Sequence, residues 1–311
     1  MVITLNIKKI LLFSLLVILI PFIVVNIFIK EDEIKFNHTS NMVVRVYRAK
    51  EKKIIYIPLE QYIYGVVSSE MPIGFEKEAL KAQAVASRTY VLYNIESHKD
   101  KDYDVYDTED SQVYQTDEEL KEKWKDKYVE YSNKIKRIIM ETKGEYLSYD
   151  GKIIEAFFFS TSSGYTENSE DVFSEKLPYL RSVESKWDKD SPSYDDKKEY
   201  SKIDFYNKLG LEYSDKLNIS SVKNSKTGRI ISLKINGIDF KSSDVREKLK
   251  LRSTFFNIES DNKTVTIKTK GYGHGVGMSQ YGANGMALAG FLYKDILKYY
   301  YTGVKIEKIK K

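Results

Sequence analysis

Four stretches of this sequence carry residue types that could do chemistry. The first is Ser68-Ser69-Glu70-Met71-Pro72. A helix must end here, because the residue before a proline is pushed out of the helical region and Met71 is that residue. A carboxyl at this point faces the negative end of the helix dipole, which opposes ionisation. Partial burial acts in the same direction. Both effects hold a proton on Glu70 near neutral pH, as a general acid requires. On these residues alone, a solvated glutamate at a helix end is the commoner meaning. The second is Arg88, on a helix that is small or apolar on nearly every face. It could neutralise an internal carboxylate, hydrogen-bond a sugar or extend its head to solvent. The helix by itself favours a structural role.

The third stretch runs from Phe157 through Ser160-Thr161-Ser162-Ser163-Gly164-Tyr165-Thr166. An apolar strand there delivers hydroxyls and an aromatic ring, a mixture of donors, acceptors and a flat apolar face that suits carbohydrate. Ser/Thr-rich turns are also common without any ligand. The fourth is Gly271-Tyr272-Gly273-His274-Gly275-Val276-Gly277-Met278-Ser279-Gln280-Tyr281-Gly282. Alternating glycines weaken a strand and mark close approach by a ligand or another segment. Ser279 can cap a following helix running through Ala289. The run lacks the spacing and βαβ setting of a dinucleotide loop and the lysine of a P-loop, so nucleotide binding is rejected. No His-x-x-x-His pair exists, so a zinc site is not expected, although a His/Asp/Glu cluster assembled by folding stays open.

The elements that must position these residues emerge from pattern. Met42–Tyr47 and Lys53–Ile57 read as a hairpin around Glu51-Lys52. Apolar residues recur at three and four from Leu59 to Val67, a helix ending near Ser69. Residues 76–95 form the strongest helical pattern, apolar nearly all round and therefore buried. A surface helix is expected over 126–141. Asp150-Gly151 and Asn236-Gly237 each read as hairpin turns, the first joining 145–147 to 152–159, the second 229–235 to 238–240. Asp244 and Glu247 are spaced to cap a short helix to Leu249. Thr264–Lys268 alternates as a strand, and 293–300 is helical with Ile296, Leu297 and Tyr300 inward. Residues 188–223 are charged, weakly patterned and read as a peripheral insertion. Helices and strands mix without regular βαβ alternation, so the fold class is α+β: antiparallel hairpins and helices in one large domain over 42–311.

The chain has 311 residues, 31% charged and 42% hydrophobic, which is globular and long enough for one large domain or two modest ones. A net charge of +5 does not argue for nucleic acid, but allows weak attraction to anionic surfaces. Cysteine is absent, which removes disulfides, thiolate metal sites and a cysteine nucleophile. Ile10–Ile29 is an uncharged apolar run of 20 residues preceded by Lys8 and Lys9. As a helix it would reach ~30 Å, the thickness of a bilayer core. The positive-inside rule keeps the N-terminus in the cytoplasm and exports the chain beyond the apolar run. A cleaved signal would have a shorter apolar core and a small-residue site, so an uncleaved anchor over 1–30 and a linker over 31–41 are expected.

Taken together, these segments resemble the stage II sporulation protein D family. The resemblance rests on Gly65-Val66-Val67-Ser68-Ser69-Glu70-Met71-Pro72, Glu78 to Tyr90, Ser111-Gln112-Val113-Tyr114, Ser160 to Asn168, Leu177 to Val183 and Gly273 to Ala283, in that order. It implies a lytic transglycosylase that cuts peptidoglycan stripped of its stem peptides during forespore engulfment, with Glu70 catalytic. It further implies a single-pass protein of the mother-cell engulfing membrane, its domain outside the cytoplasm, working beside stage II sporulation proteins P and M. Some relatives bind zinc through Cys and His near Ser111. Here Val105 to Ser111 holds neither, so no metal and no cofactor are expected. Ser163 stands where many members have a second glycine.

Ordinary glycosidases need two carboxylates. A lytic transglycosylase needs one, because the 6-hydroxyl of N-acetylmuramic acid is the nucleophile. Arg88, Gln112, Tyr114, Ser160, Thr161, Ser162, Tyr165, His274, Ser279 and Gln280 are the expected sugar-binding groove. The rival readings are a non-enzymatic activator of a wall amidase, a plain hydrolase with Glu167, Asp171 or Asp188 as second carboxylate, and an inactive wall-binding scaffold.

Overall fold

A computed structural model describes residues 11–20, 32–35 and 42–310. Its architecture is α+β, built from short antiparallel sheets around a buried helix. That helix, Lys77–Ser97, has fourteen buried residues and no wet face in its middle turns, as its small apolar composition requires. The Leu59–Glu70 helix packs beside it, as do Tyr128–Glu141 and Tyr293–Tyr300. Val43–Arg48 and Lys53–Pro58 form the expected hairpin, paired from Val43↔Pro58 to Arg48↔Lys53. Val105–Tyr106 joins it in parallel. Glu145–Tyr149 and Lys152–Ile153 pair across Asp150-Gly151, both at positive φ. The chain then leaves that sheet, and only Phe158–Phe159 extends again, parallel to Met278–Ser279. The long strand expected through Phe159 is therefore two short ones.

A second hydrophobic cluster gathers Phe205, Tyr206, Leu209, Leu233, Ile235, Val245, Leu249 and Val265, separate from the main core. It is enclosed by two three-stranded sheets and the helices Lys202–Leu209 and Ser242–Lys248. This lobe spans Asp195 to Lys270, whose end residues pair across one ladder. The reading of 188–223 as one peripheral insertion is corrected. Asp188 is wholly buried in the main lobe, whereas 195–223 supplies a strand, a helix and another strand of a structured unit. Its weak patterning reflects strands half-exposed on a small sheet. The capping role given to Asp244 is also corrected. The helix starts at Ser242, Lys241 is its N-cap without a side-chain bond, and Asp244 lies in the first turn.

Of the expected anchor over 1–30, residues 11–20 are helical and exposed; residues 1–10 and 21–30 lie outside the described residues. No helix among the described residues is long and apolar enough to cross a membrane. Part of the expected linker is docked. Asn133 binds it from both sides, through Ile34 N–H to its Oδ1 (2.8 Å) and its Nδ2 to the Asp32 carbonyl (2.9 Å). Lys136 pairs with Glu33 at 2.9 Å.

Candidate active site

Glu70 is the last residue of its helix, because Met71 turns extended (φ −109°, ψ 134°) ahead of Pro72. The residue as a whole is partly exposed, and its carboxyl is held by two neutral donors. Val113 N–H reaches Oε1 at 2.7 Å and the Gln280 amide reaches Oε2 at 3.3 Å. No cation pairs with it among the described residues. Burial raises its pKa above the usual carboxylate range, the two hydrogen bonds oppose that, and the charge of Glu109 adds to the rise. The carboxyl thus keeps its proton more readily than an ordinary glutamate.

Val113 reaches Glu70 because the segment Gln112–Gln115 lies directly on the helix at Gly65. A Cβ at Gly65 would overlap the Tyr114 ring and sit 2.6 Å from the Gln115 carbonyl oxygen. Tyr114 is buried, stacked on Tyr62 at 5.4 Å and capped by the Arg48 guanidinium at 5.7 Å. Gly65→Ala is expected to push this segment off, costing about 1–3 kcal/mol in denaturant unfolding and loosening Val113 from Glu70. Wild-type stability in that variant would show that the contact is dispensable.

Gln280 comes from the other side. Ser279 caps the Gln280–Leu288 helix as expected, accepting from Gly282 N–H at 3.2 Å. Ser279 also donates to Asp188. Asp188 further accepts from Ser162 N–H (2.9 Å), Ser162 Oγ (2.8 Å) and Ser185 Oγ (2.5 Å), and Ser185 contacts the Tyr300 hydroxyl at 2.6 Å. Burial pushes the Asp188 pKa up while these donors pull it down. One buried carboxylate therefore fastens the hydroxyl-rich loop to the cap of the helix that presents Gln280 to Glu70.

The glycine run lies along 157–163. Thr161 and Tyr272 exchange backbone hydrogen bonds at 3.0 and 2.7 Å. Gly277 has φ +79°, and a Cβ there would overlap the Phe157 carbonyl oxygen. His274 spends both ring nitrogens on main chain: Nε2 on the Phe158 carbonyl (3.0 Å), Nδ1 on Val276 N–H (3.1 Å). A carbonyl can only accept and an amide N–H can only donate, so the ring is neutral with its proton on Nε2. Burial, then the charges of Arg229 and Arg246, push its pKa down to about 3. His274 is a strut with one edge on a cleft, not a base.

The expected groove is thus sorted. Glu70 and Gln280 meet directly. Ser160 is partly exposed, and Tyr165 is 47% exposed. Arg88 is corrected: it is wholly buried and clamps Glu60 through Nε (3.1 Å) and Nη2 (2.7 Å). Thr161, Ser162 and Ser279 are wholly buried on neighbouring side chains, and Gln112 is wholly buried with its amide on the Ser87 carbonyl at 3.4 Å. These residues and Tyr114 shape the site from behind and do not line a groove. Of the candidate second carboxylates, Asp188 is engaged by the serines named above. Glu167 is buried against Thr227 and Arg229, and Asp171 accepts from Asn168 at 3.0 Å. Sequence reasoning missed Glu109 and the Val113 amide. No group of three or more His, Asp or Glu among the described residues could hold a metal ion.

Residues 47–149, which contain Glu70, Gly65 and Val113, match the family described as SpoIID, Stage II sporulation protein. The chain is 44% identical over 274 residues to stage II sporulation protein D of Bacillus amyloliquefaciens, covering 86% of this chain and 80% of that protein. The chain belongs to the stage II sporulation protein D family. The Bacillus subtilis (strain 168) stage II sporulation protein D is 43% identical over the same shares. An amidase enhancer of the same organism is 30% identical over 78% of this chain and 40% of its own length. Membership of the stage II sporulation protein D family supports a role in sporulation.

Proposed function

We propose that this chain is a lytic transglycosylase of peptidoglycan, cutting the bond between N-acetylmuramic acid and N-acetylglucosamine in peptide-stripped strands. The observation that carries the reading is Glu70 itself: one carboxyl on a partly exposed residue, held only by neutral donors, with its pKa raised by burial. Protonated Glu70 gives its proton to the glycosidic oxygen as the bond from that oxygen to muramic C1 breaks. The muramic 6-hydroxyl adds to C1, and its proton returns to Glu70. The residue ends as it began, no water is consumed, and a 1,6-anhydro ring closes. Holding the hydroxyl beside C1 lowers the barrier through proximity. The engaged states of Asp188, Glu167 and Asp171 favour this over a two-carboxylate hydrolysis.

The same proposal includes the N-terminal apolar run as a membrane anchor, export of the domain, and action during engulfment beside stage II sporulation proteins P and M. Mass spectrometry of strands digested by the purified chain tests the reaction. The released muramic ends are expected one water lighter than hydrolysed ends; products at the hydrolysed mass would replace the transglycosylase with a hydrolase. The likeness to an amidase enhancer supports a second reading, activation of a wall amidase without glycan cutting. An intact chain that stimulates an amidase but releases no glycan fragments would favour it.

A further inference from the structure

We propose that the second lobe carries an anion subsite built on Arg246, and that its ligand is a carboxylate borne by the glycan. This deepens the glycan-cutting reading and rests on it. The helix Ser242–Lys248 and the turn after it form one wall of an open cleft of about 460 Å³; Glu109, Tyr272 and His274 form another. A cleft of this size takes one or two sugar rings. It is connected to the Glu70 site in two ways. Glu109, on its wall, is the charge that acts on Glu70. His274 begins the short run that leads to Gln280.

Arg246, Lys250 and Arg252 bring three cations to this cleft. Arg252 is occupied: it pairs with Asp196 at 3.4 Å and lies 5.8 Å over the Tyr272 ring. Lys250 is exposed and strongly solvated. Arg246 is different. It is partly buried, its Nε contacts the Leu251 carbonyl at 3.4 Å, and it forms no ion pair among the described residues. Burial lowers its pKa, Tyr272 and the charge of Glu109 across the cleft act against that, and its own charge is felt by the buried Arg229 and by His274. A partly desolvated guanidinium that a carboxylate influences only across a cleft, with none in ion-pair contact, is costly. Its free terminal nitrogens match the fork geometry of a carboxylate from outside the chain. Tyr272, 38% exposed, offers a flat face beside it for a sugar ring. The muramic lactyl group carries such a carboxylate when no peptide is joined to it, and an uncharged amide when one is.

Binding tests this on full-length chains that cannot turn over. Strands with free lactyl carboxyls, and the same strands with those carboxyls converted to primary amides, are titrated against Glu70→Gln and Glu70→Gln/Arg246→Gln. Glu70→Gln is expected to bind the free-acid strand about tenfold more tightly. Arg246→Gln is expected to erase that preference by weakening the free-acid strand most, with an unchanged melting temperature reporting an intact fold. Arg246→Lys keeps the charge without the fork and retains part of the preference. A preference that survives Arg246→Gln, or none in Glu70→Gln, overturns the subsite. A phosphodiester wall polymer is the third arm: if it, and not the free-acid glycan, shows the Arg246 dependence, the carboxylate assignment falls. Cleavage by the wild-type chain is read separately. No cleavage with the Arg246-dependent preference intact removes the transglycosylase and keeps the subsite; cleavage without preference does the reverse.

Discussion

Glu70→Gln is expected to leave the chain folded and to reduce glycan cleavage by about 100- to 10,000-fold, the usual worth of a positioned acid and base. The amide keeps the oxygen that accepts from Val113 N–H but carries no transferable proton. Stability gives a second readout. The folded-state pKa of Glu70 lies above that of the unfolded chain because of burial. Protonation therefore favours the native state: this share of stability is whole below the unfolded-state value and is lost as pH rises through the folded-state value. The amide does not titrate. Relative to wild type, the variant is expected to gain melting temperature from acid to neutral pH, a gain in stability where activity is lost. Fragment release by the variant, or a relative melting temperature that falls over that range, would detach the chemistry from Glu70.

Asp188→Ala is expected to be the most damaging change outside Glu70. It strands the Ser162 amide and leaves the hydroxyls of Ser162, Ser185 and Ser279 only their weaker or neutral partners, in a site with no access to solvent. Each hydrogen bond to a charged group is worth about 1.5–3 kcal/mol, and four that share one acceptor lose less than their sum. The expected loss is roughly 3–6 kcal/mol, with a fall in melting temperature on the order of 10 °C. Glycan cleavage should fall too, even at temperatures where the variant is folded, because Ser279 no longer fixes the helix that presents Gln280. Asp188→Asn keeps an acceptor oxygen and is expected to fall between the two. Equal melting temperatures for wild type and Asp188→Ala would mean the junction carries no weight.

Local chemistry was the part readable in the sequence. Asp150-Gly151 and Asn236-Gly237 placed two hairpins because both turn residues tolerate positive φ. Met71-Pro72 placed the end of a helix and therefore Glu70. The unreadable part depends on long-range encounters. The Val113 amide has no side-chain signature, and only the approach at Gly65 brings it to Glu70. Asp188 meets partners 26 and 91 residues away from a stretch with weak periodicity. Arg88 looked available for sugar because its partner Glu60 is 28 residues earlier on another helix. Polar residues near a carboxyl can face a ligand or the scaffold, and composition alone does not say which.

The second lobe enters and leaves the main one through residues that face each other, Asp195 and Lys270, and it has its own core. Units joined by two adjacent strands are the kind that recombination can replace, lengthen or prune without disturbing the host. On the two proposals above, the Arg246 contribution to substrate preference and the bond-breaking carboxyl sit on separable parts. A lineage could change which polymer it selects by exchanging one cassette, and a protein engineer could do the same with two crossover points.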